Sequence, residues 1–212
     1  MHVIVFAAGT VQAGSAVTET LRRGELAIAA DSGASTALAL GCTPAIVVGD
    51  LDSLDQATRT VLERAGSQIV QAQIEKDETD TELAIDVAIQ QGASRITLLG
   101  ALGGTRFEHT IANLLLLTAY PDTPLELVDG NARGWLLRGP GETRINGKEG
   151  DLLSLFPLQS SAEGVCTEGL YYPLHNEALR FGRPRGISNV LLGEQARVSL
   201  VEGLLMIVHT AI

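Results

Sequence analysis

A chain of 212 residues is long enough for one large domain or two small ones, each able to bury a core, and its 45% hydrophobic content excludes wholesale disorder. With 25 acidic against 15 basic residues the formal charge is −10, which argues against a nucleic-acid groove or an anionic membrane surface. Cys42 and Cys166 stand far apart without metal-ligand or redox spacing. No apolar run reaches bilayer length and no basic leader precedes the first strand, so a cytoplasmic protein is expected.

Residues 2–8 predict a first strand, and Gly9 opens a loop to Gly14. A helix over Ser15 to Arg23 ends at Gly24, and Leu26 to Ala30 is a second strand running into Asp31. Ser35 to Leu40 reads as helix, stopped by Gly41 with Pro44 beyond. Ile46-Val47-Val48 is a buried strand closed by Gly49 and followed by Asp50-Leu51-Asp52-Ser53. Ser53-x-x-Gln56 has the form of a capping box for a helix to Ala65, closed by Gly66. Gln68 to Ala72 is the next strand, and Thr79 with Glu82 three residues on predicts an N-cap for a helix to Gln91. Arg95 to Leu99, an apolar-faced helix to Tyr120 and a strand at Leu125 to Val128 complete the alternation, which predicts a doubly wound, mostly parallel α/β domain over residues 1–129.

Beyond Asp129-Gly130 the pattern changes to short alternating segments: 135–137, 142–145, 152–156, 164–167, 187–192, 196–200 and 204–209. Asn146-Gly147 is a hairpin signal among them. Residues 130–212 therefore predict a small all-β domain, a sandwich. Core packing is the expected role of Trp135, Tyr171 and Tyr172.

Polar clusters recur where the first domain's strands end: Asp31, Asp50 with Asp52, Lys76 and Asp77 with Asp80, Arg106, and Glu108 with His109. In extended backbone Asp50 and Asp52 share a face, and two carboxylates about 5 Å apart repel by roughly 3 kcal/mol at an effective dielectric of 20. A hard cation such as Mg2+ is the natural bridge. Asp31 alone reads as a helix cap, Asp77 and Asp80 equally as partners of a helix dipole, and His109 equally as a packing residue. Their convergence at strand ends, where open α/β sheets bind ligands, favours metal-assisted phosphoryl chemistry, with Arg106 clamping phosphate. Gly9-x4-Gly14-Ser15 lacks the lysine of a Walker-type loop, and Gly186-Ile-Ser188 lies in β-rich surroundings unlike a nucleophile elbow.

In chain order, Ala30-Asp-Ser-Gly-Ala34, Gly49-Asp-Leu-Asp-Ser53, Lys76-Asp-Glu-Thr-Asp80, Gly103-Gly-Thr-Arg-Phe-Glu-His-Thr-Ile-Ala-Asn113 and Gly186-Ile-Ser-Asn189 resemble the thiamine pyrophosphokinase family. The resemblance implies diphosphoryl transfer from ATP to thiamine, giving thiamine diphosphate and AMP. It implies Mg2+ on Asp50, Asp52 and Asp80, and ATP beside Lys76, Asp77, Arg106, Glu108 and His109. Asp31 is expected to be catalytic as acceptor of the alcohol proton. It further implies a homodimer with thiamine between subunits, lined by Ser188 and Asn189 of the second domain. Three departures from the family pattern are Ser32 after Asp31, Thr105 in the glycine-rich approach and Glu108 in place of aspartate. The rival readings are a diphosphokinase acting on a hydroxymethyl pterin, a dehalogenase-type phosphatase (disfavoured by Leu54), and a non-catalytic thiamine or nucleotide sensor.

Overall fold

A computed structural model describes residues 1–52, 54–73 and 76–212, and they form two compact units, Met1–Gly130 and Asn131–Ile212. The first contains β1 (His2–Phe6), α1 (Ser15–Arg23), β2 (Leu26–Ala30), α2 (Gly33–Ala39), β3 (Ile46–Gly49) and α3 (Gln56–Ala65). It continues through β4 (Gln68–Gln71), α4 (Asp80–Gln90), β5 (Arg95–Leu99), α5 (Phe107–Ala119) and β6 (Leu125–Asp129). Its strands pair in parallel in the order β6-β5-β1-β2-β3-β4. The chain lays down β1 to β4 to one side of β1 and then returns to its other side with β5. That reversal puts a topological switch point between β1 and β5.

Continuous apolar runs explain why these strands are central. Val3, Ile4, Val5 and Phe6 are all at most 2% exposed, although successive side chains leave opposite faces of a strand. Ile4, Phe6, Ala29 and Val47 share one cluster with Ala16 and Val17 of α1, Ala34 and Ala37 of α2 and Leu62 of α3. The alternate residues Val3, Val5, Ile28 and Val48 are buried as well, and α4, packed along β1, β2 and β3, buries Ala84, Ile85 and Ala88.

Helix ends follow local chemistry. Thr79 caps α4 by accepting from the Glu82 N–H at 3.1 Å. α3 starts differently from the expected capping box: Asp55 accepts from the Thr58 N–H at 2.8 Å and its hydroxyl at 2.7 Å. Ser53, the expected cap, lies outside the described residues, as does Glu75 ahead of Lys76. Among the described residues, no helix is long and apolar enough to cross a membrane.

The second unit consists of β7 (Ala132–Arg138), β8 (Gly141–Asn146), β9 (Leu152–Pro157), β10 (Ser161–Glu168), β11 (Glu177–Arg180), β12 (Asn189–Val190), β13 (Gln195–Leu200) and β14 (Leu204–Thr210). Its strands pair antiparallel in two sets, β12-β9-β14-β7 and β11-β10-β13-β8. Leu137, Leu153, Leu155, Leu205 and Ile207 of the first set meet Ile145, Val165, Leu179, Val198 and Leu200 of the second in one cluster.

The hairpin expected at Asn146-Gly147 is not formed. β8 pairs with β13 while β9 pairs with β14 and β12, so the turn crosses from one sheet to the other. Gly147 is there for space, since a Cβ on it would lie 2.5 Å from Asp151 Oδ2. Asp151, 2% exposed, accepts from the Lys148 N–H at 2.9 Å and the Ile212 N–H at 3.1 Å, and lies 2.9 Å from His209 Nε2. Burial pushes its carboxyl up, but these hydrogen bonds outweigh it and keep the group below the ordinary carboxylate range.

Candidate active site

Loops at the carboxyl ends of the parallel strands enclose a cavity of about 400 Å³ in the first unit. Asp31 follows β2 in left-handed backbone, φ +47°. Its N–H donates to Val48 O of the neighbouring strand at 2.8 Å, and its side chain is buried. Ser32, the residue that departs from the family pattern, sits at the N-cap position of α2.

Asp50 and Asp52 follow β3, but not in the extended backbone expected of them. Leu51 between them has φ +63°, and the Asp52 N–H donates to Asp50 Oδ1 at 3.2 Å. The two acids meet across a turn, not along a strand face. Left-handed backbone costs a non-glycine residue about 1–2 kcal/mol, and Leu51 offsets that by packing its side chain against the core cluster. One carboxylate oxygen each from Asp31, Asp50 and Asp52 lies within 4.8 Å of the other two.

Thr79, Asp80 and Thr81 at the start of α4 form another part of the wall. Asp80 lies outside the three-acid cluster and accepts from Lys76 Nζ at 2.6 Å. After β5, Gly100, Ala101 and the loop from Gly103 to Arg106 complete the wall with His109 and Asn113 of α5. Arg106 Nε donates to Glu108 Oε1 at 2.7 Å. The backbone N–H of Glu108 and the Arg106 guanidinium hold the Glu108 carboxyl below its usual range. Asp77 and Glu108 are exposed and do not line the cavity, and neither does Lys76.

Asn113 had no role in the sequence reading. It is 5% exposed and donates from Nδ2 to Ala101 O at 2.9 Å, tying α5 to the glycine-rich loop. The available signal was an amide four residues beyond His109, on the same helix face.

Ser188 and Asn189 belong to the second unit. Ser188 has φ +58°, and its N–H donates to Ser154 Oγ at 3.0 Å. Asn189 is bonded to both backbone groups of Tyr172, accepting from its N–H at 3.0 Å and donating to its carbonyl at 2.7 Å. Tyr171 and Tyr172, expected in the core, are 61% and 66% exposed and meet edge to face at 4.8 Å. The Asn189 bonds hold the Tyr172 backbone, and the Tyr171 N–H donates to Val190 O at 2.9 Å. Trp135 does pack against the core.

An acid-rich cavity with arginine and histidine on its wall suits a hard cation and an anionic ligand. Comparison with known proteins points the same way. The family model described as thiamin pyrophosphokinase, catalytic domain, matches residues 17–128. The one described as thiamin pyrophosphokinase, vitamin B1 binding domain, matches residues 142–205. Thiamine pyrophosphokinase of Bacillus subtilis (strain 168) is 30% identical over 186 residues, 86% of each chain. Thiamine pyrophosphokinase 2 of Arabidopsis thaliana is 29% identical over 160 residues, 71% of this chain and 60% of that one. The crystal structure of the Bacillus subtilis enzyme covers 100% of this chain and 99% of its own, with a TM-score of 0.87 at 28% identity. That of thiamin pyrophosphokinase from Geobacillus thermodenitrificans covers 100% and 98%, with a TM-score of 0.83 at 29% identity.

Proposed function

Because the chain belongs to the thiamin pyrophosphokinase family, we infer that it transfers a diphosphoryl group from ATP to the hydroxyethyl arm of thiamine. The thiamine oxygen bonds to the β-phosphorus, the bond from that phosphorus to the oxygen shared with the α-phosphate breaks, and AMP leaves with that oxygen. The observation that carries this reading is the meeting of Asp31, Asp50 and Asp52 within 4.8 Å in the cavity that Arg106 and His109 also line.

Three carboxylates are a donor set matched to Mg2+, which when bound would neutralise charge on the phosphate oxygens. Asp50, Asp52 and Asp80, all lining the cavity, are its proposed ligands, with Asp31 beside them. Asp31, the buried member of the three, is also the proposed acceptor of the thiamine hydroxyl proton. Arg106 and His109 would bind phosphate and keep the β-phosphorus in line with the incoming oxygen. Glu108 orients Arg106 through their ion pair and stays in the proposed nucleotide set through that arginine. Lys76 is a further phosphate partner, and Asp77 joins the nucleotide set on its motif position alone.

On this reading residues 1–129, as a doubly wound domain, bind ATP and Mg2+, and residues 130–212, as a sandwich, bind thiamine and join two copies. The exposed Tyr171, Tyr172, Phe181 and Leu192 near Asn189 in sequence, with Ser188 beside it, support a shared surface of that kind. Sedimentation at micromolar concentration is expected to give a dimer mass; a monomer there would overturn the shared thiamine site.

The deciding experiment follows AMP formed from ATP and Mg2+ with thiamine or a hydroxymethyl pterin as acceptor. AMP is expected with thiamine alone, from the soluble fraction of a lysate, as fits a cytoplasmic enzyme. AMP with the pterin alone would keep the chemistry and overturn the acceptor. Thiamine binding without AMP would make the chain a sensor.

A further inference from the structure

We propose that Lys76 is an internal cation that masks Asp80 until nucleotide phosphate competes for it, so that the metal site gains its last acid only when nucleotide is present. The proposal rests on the metal-site reading above. Four observations carry it.

The Lys76 Nζ to Asp80 Oδ1 distance is 2.6 Å, and the two side chains are 15% and 29% exposed. A charge-assisted bond that short, with both partners largely out of water, is screened less than a surface pair. Asp80 lines the same cavity as Asp31, Asp50 and Asp52 yet is absent from their cluster. Its carboxylate is already matched by an ammonium.

The two partners also differ in freedom. Asp80 is the first residue of α4, fixed by the Thr79 cap and by packing of the helix along β1, β2 and β3. Lys76 precedes the cap on a flexible four-carbon stem that carries a point charge. The lysine can therefore change partner while the helix that carries the acid keeps its place and leaves the freed carboxylate able to turn toward the cluster. Finally, Arg106, a second cation at this site among the described residues, pairs with Glu108 where both side chains are more than half exposed and water screens the charges, so it can turn to phosphate without uncovering an acid of the cavity. Lys76 is the cation that a polyphosphate entering the cavity would draw from a carboxylate partner to a phosphate one. Releasing Asp80 at that moment makes metal and nucleotide each favour the other's binding, as linkage requires.

The test uses Mn2+ alone, titrated by the resonance signal of the free ion, on wild type, Lys76→Met, Asp80→Asn and the double variant. Lys76→Met is expected to bind Mn2+ about 5- to 10-fold tighter than wild type without nucleotide, a coupling of ordinary size. The gain should vanish in the Asp80→Asn background. α,β-Methylene-ATP should tighten Mn2+ on wild type more than on Lys76→Met. No gain in Lys76→Met overturns the proposal. A gain that survives Asp80→Asn overturns it too, since it would reflect the general field of a lost positive charge. These titrations involve no turnover. If the expected pattern appears in a chain that makes no AMP with thiamine, the functional reading falls and the exchange stands.

Discussion

An Asp52→Asn variant is expected to lose roughly 10³-fold in kcat/KM with thiamine, ATP and Mg2+, a barrier increase of about 4 kcal/mol, while unfolding within about 0.5 kcal/mol of wild type. Two features separate the effects. Asp52 is exposed and its side chain fills no core volume, so the substitution leaves the buried clusters intact. Its backbone N–H, which donates to Asp50 Oδ1 in the turn, is kept by asparagine. What asparagine removes is one negative charge from a group of three carboxylates, and metal ligation of phosphate is worth several kcal/mol in the transition state. Steady-state AMP release across a Mg2+ titration, beside a urea melt, reads both quantities. Near-normal turnover at sub-saturating Mg2+ would remove Asp52 from the metal site. A matching collapse in stability would mean that the loss came from the fold instead.

The acids of the site were legible in the sequence for a reason of topology. Asp31, Asp50, Asp52, Asp80, Arg106 and His109 each stand just past an apolar strand or at a helix start, and parallel strands bring those ends to one side. Their backbone was not legible. Nothing about leucine announces the left-handed conformation of Leu51, so an extended Asp50-Leu51-Asp52 is the natural expectation, and the packing of the Leu51 side chain against the core joins the Asp52 N–H bond in stabilising the turn. The Lys76–Asp80 pair is visible in principle, being an i, i+4 pair of opposite charge at a helix start, but the i, i+3 spacing of Asp77 and Asp80 points as readily to partners of a helix dipole. In the second unit β11 escaped because Leu179 is its one buried residue. Asn146-Gly147 misled because the glycine answers to a crowded carboxylate and not to a hairpin. Local periodicity carries the first unit well, since both faces of its strands are apolar. It carries the second less well, where partner choice depends on residues far along the chain.

A Gly33→Ala variant is expected to lose about 3 kcal/mol of stability or more, the upper range for overpacking, and most activity even where it remains folded. Gly33 opens α2, and a Cβ on it would lie 2.2 Å from Phe6 O and 2.8 Å from Phe6 C. That oxygen is backbone at the end of β1, paired with β2 and β5, so it cannot swing aside as a side chain would. Gly66 supplies the contrast. It sits past α3 with φ +81° and nothing within 4 Å of an added Cβ, so Gly66→Ala meets only the left-handed penalty of about 1–2 kcal/mol. Urea midpoints at unchanged m-value compare the two. Equal losses would mean that β1 and α2 can separate cheaply, and the steric account of Gly33 would fail. A larger loss at Gly33 has a consequence for catalysis as well. Asp31 lies two residues before it, with its N–H bonded to Val48 O and its carbonyl accepting from the Ala34 N–H at 3.1 Å. Any shift that relieves the Phe6 contact must move this turn, and Asp31 is the buried corner of the three-acid cluster. The same missing methyl group therefore closes the helix onto the sheet and fixes where the first carboxylate can stand.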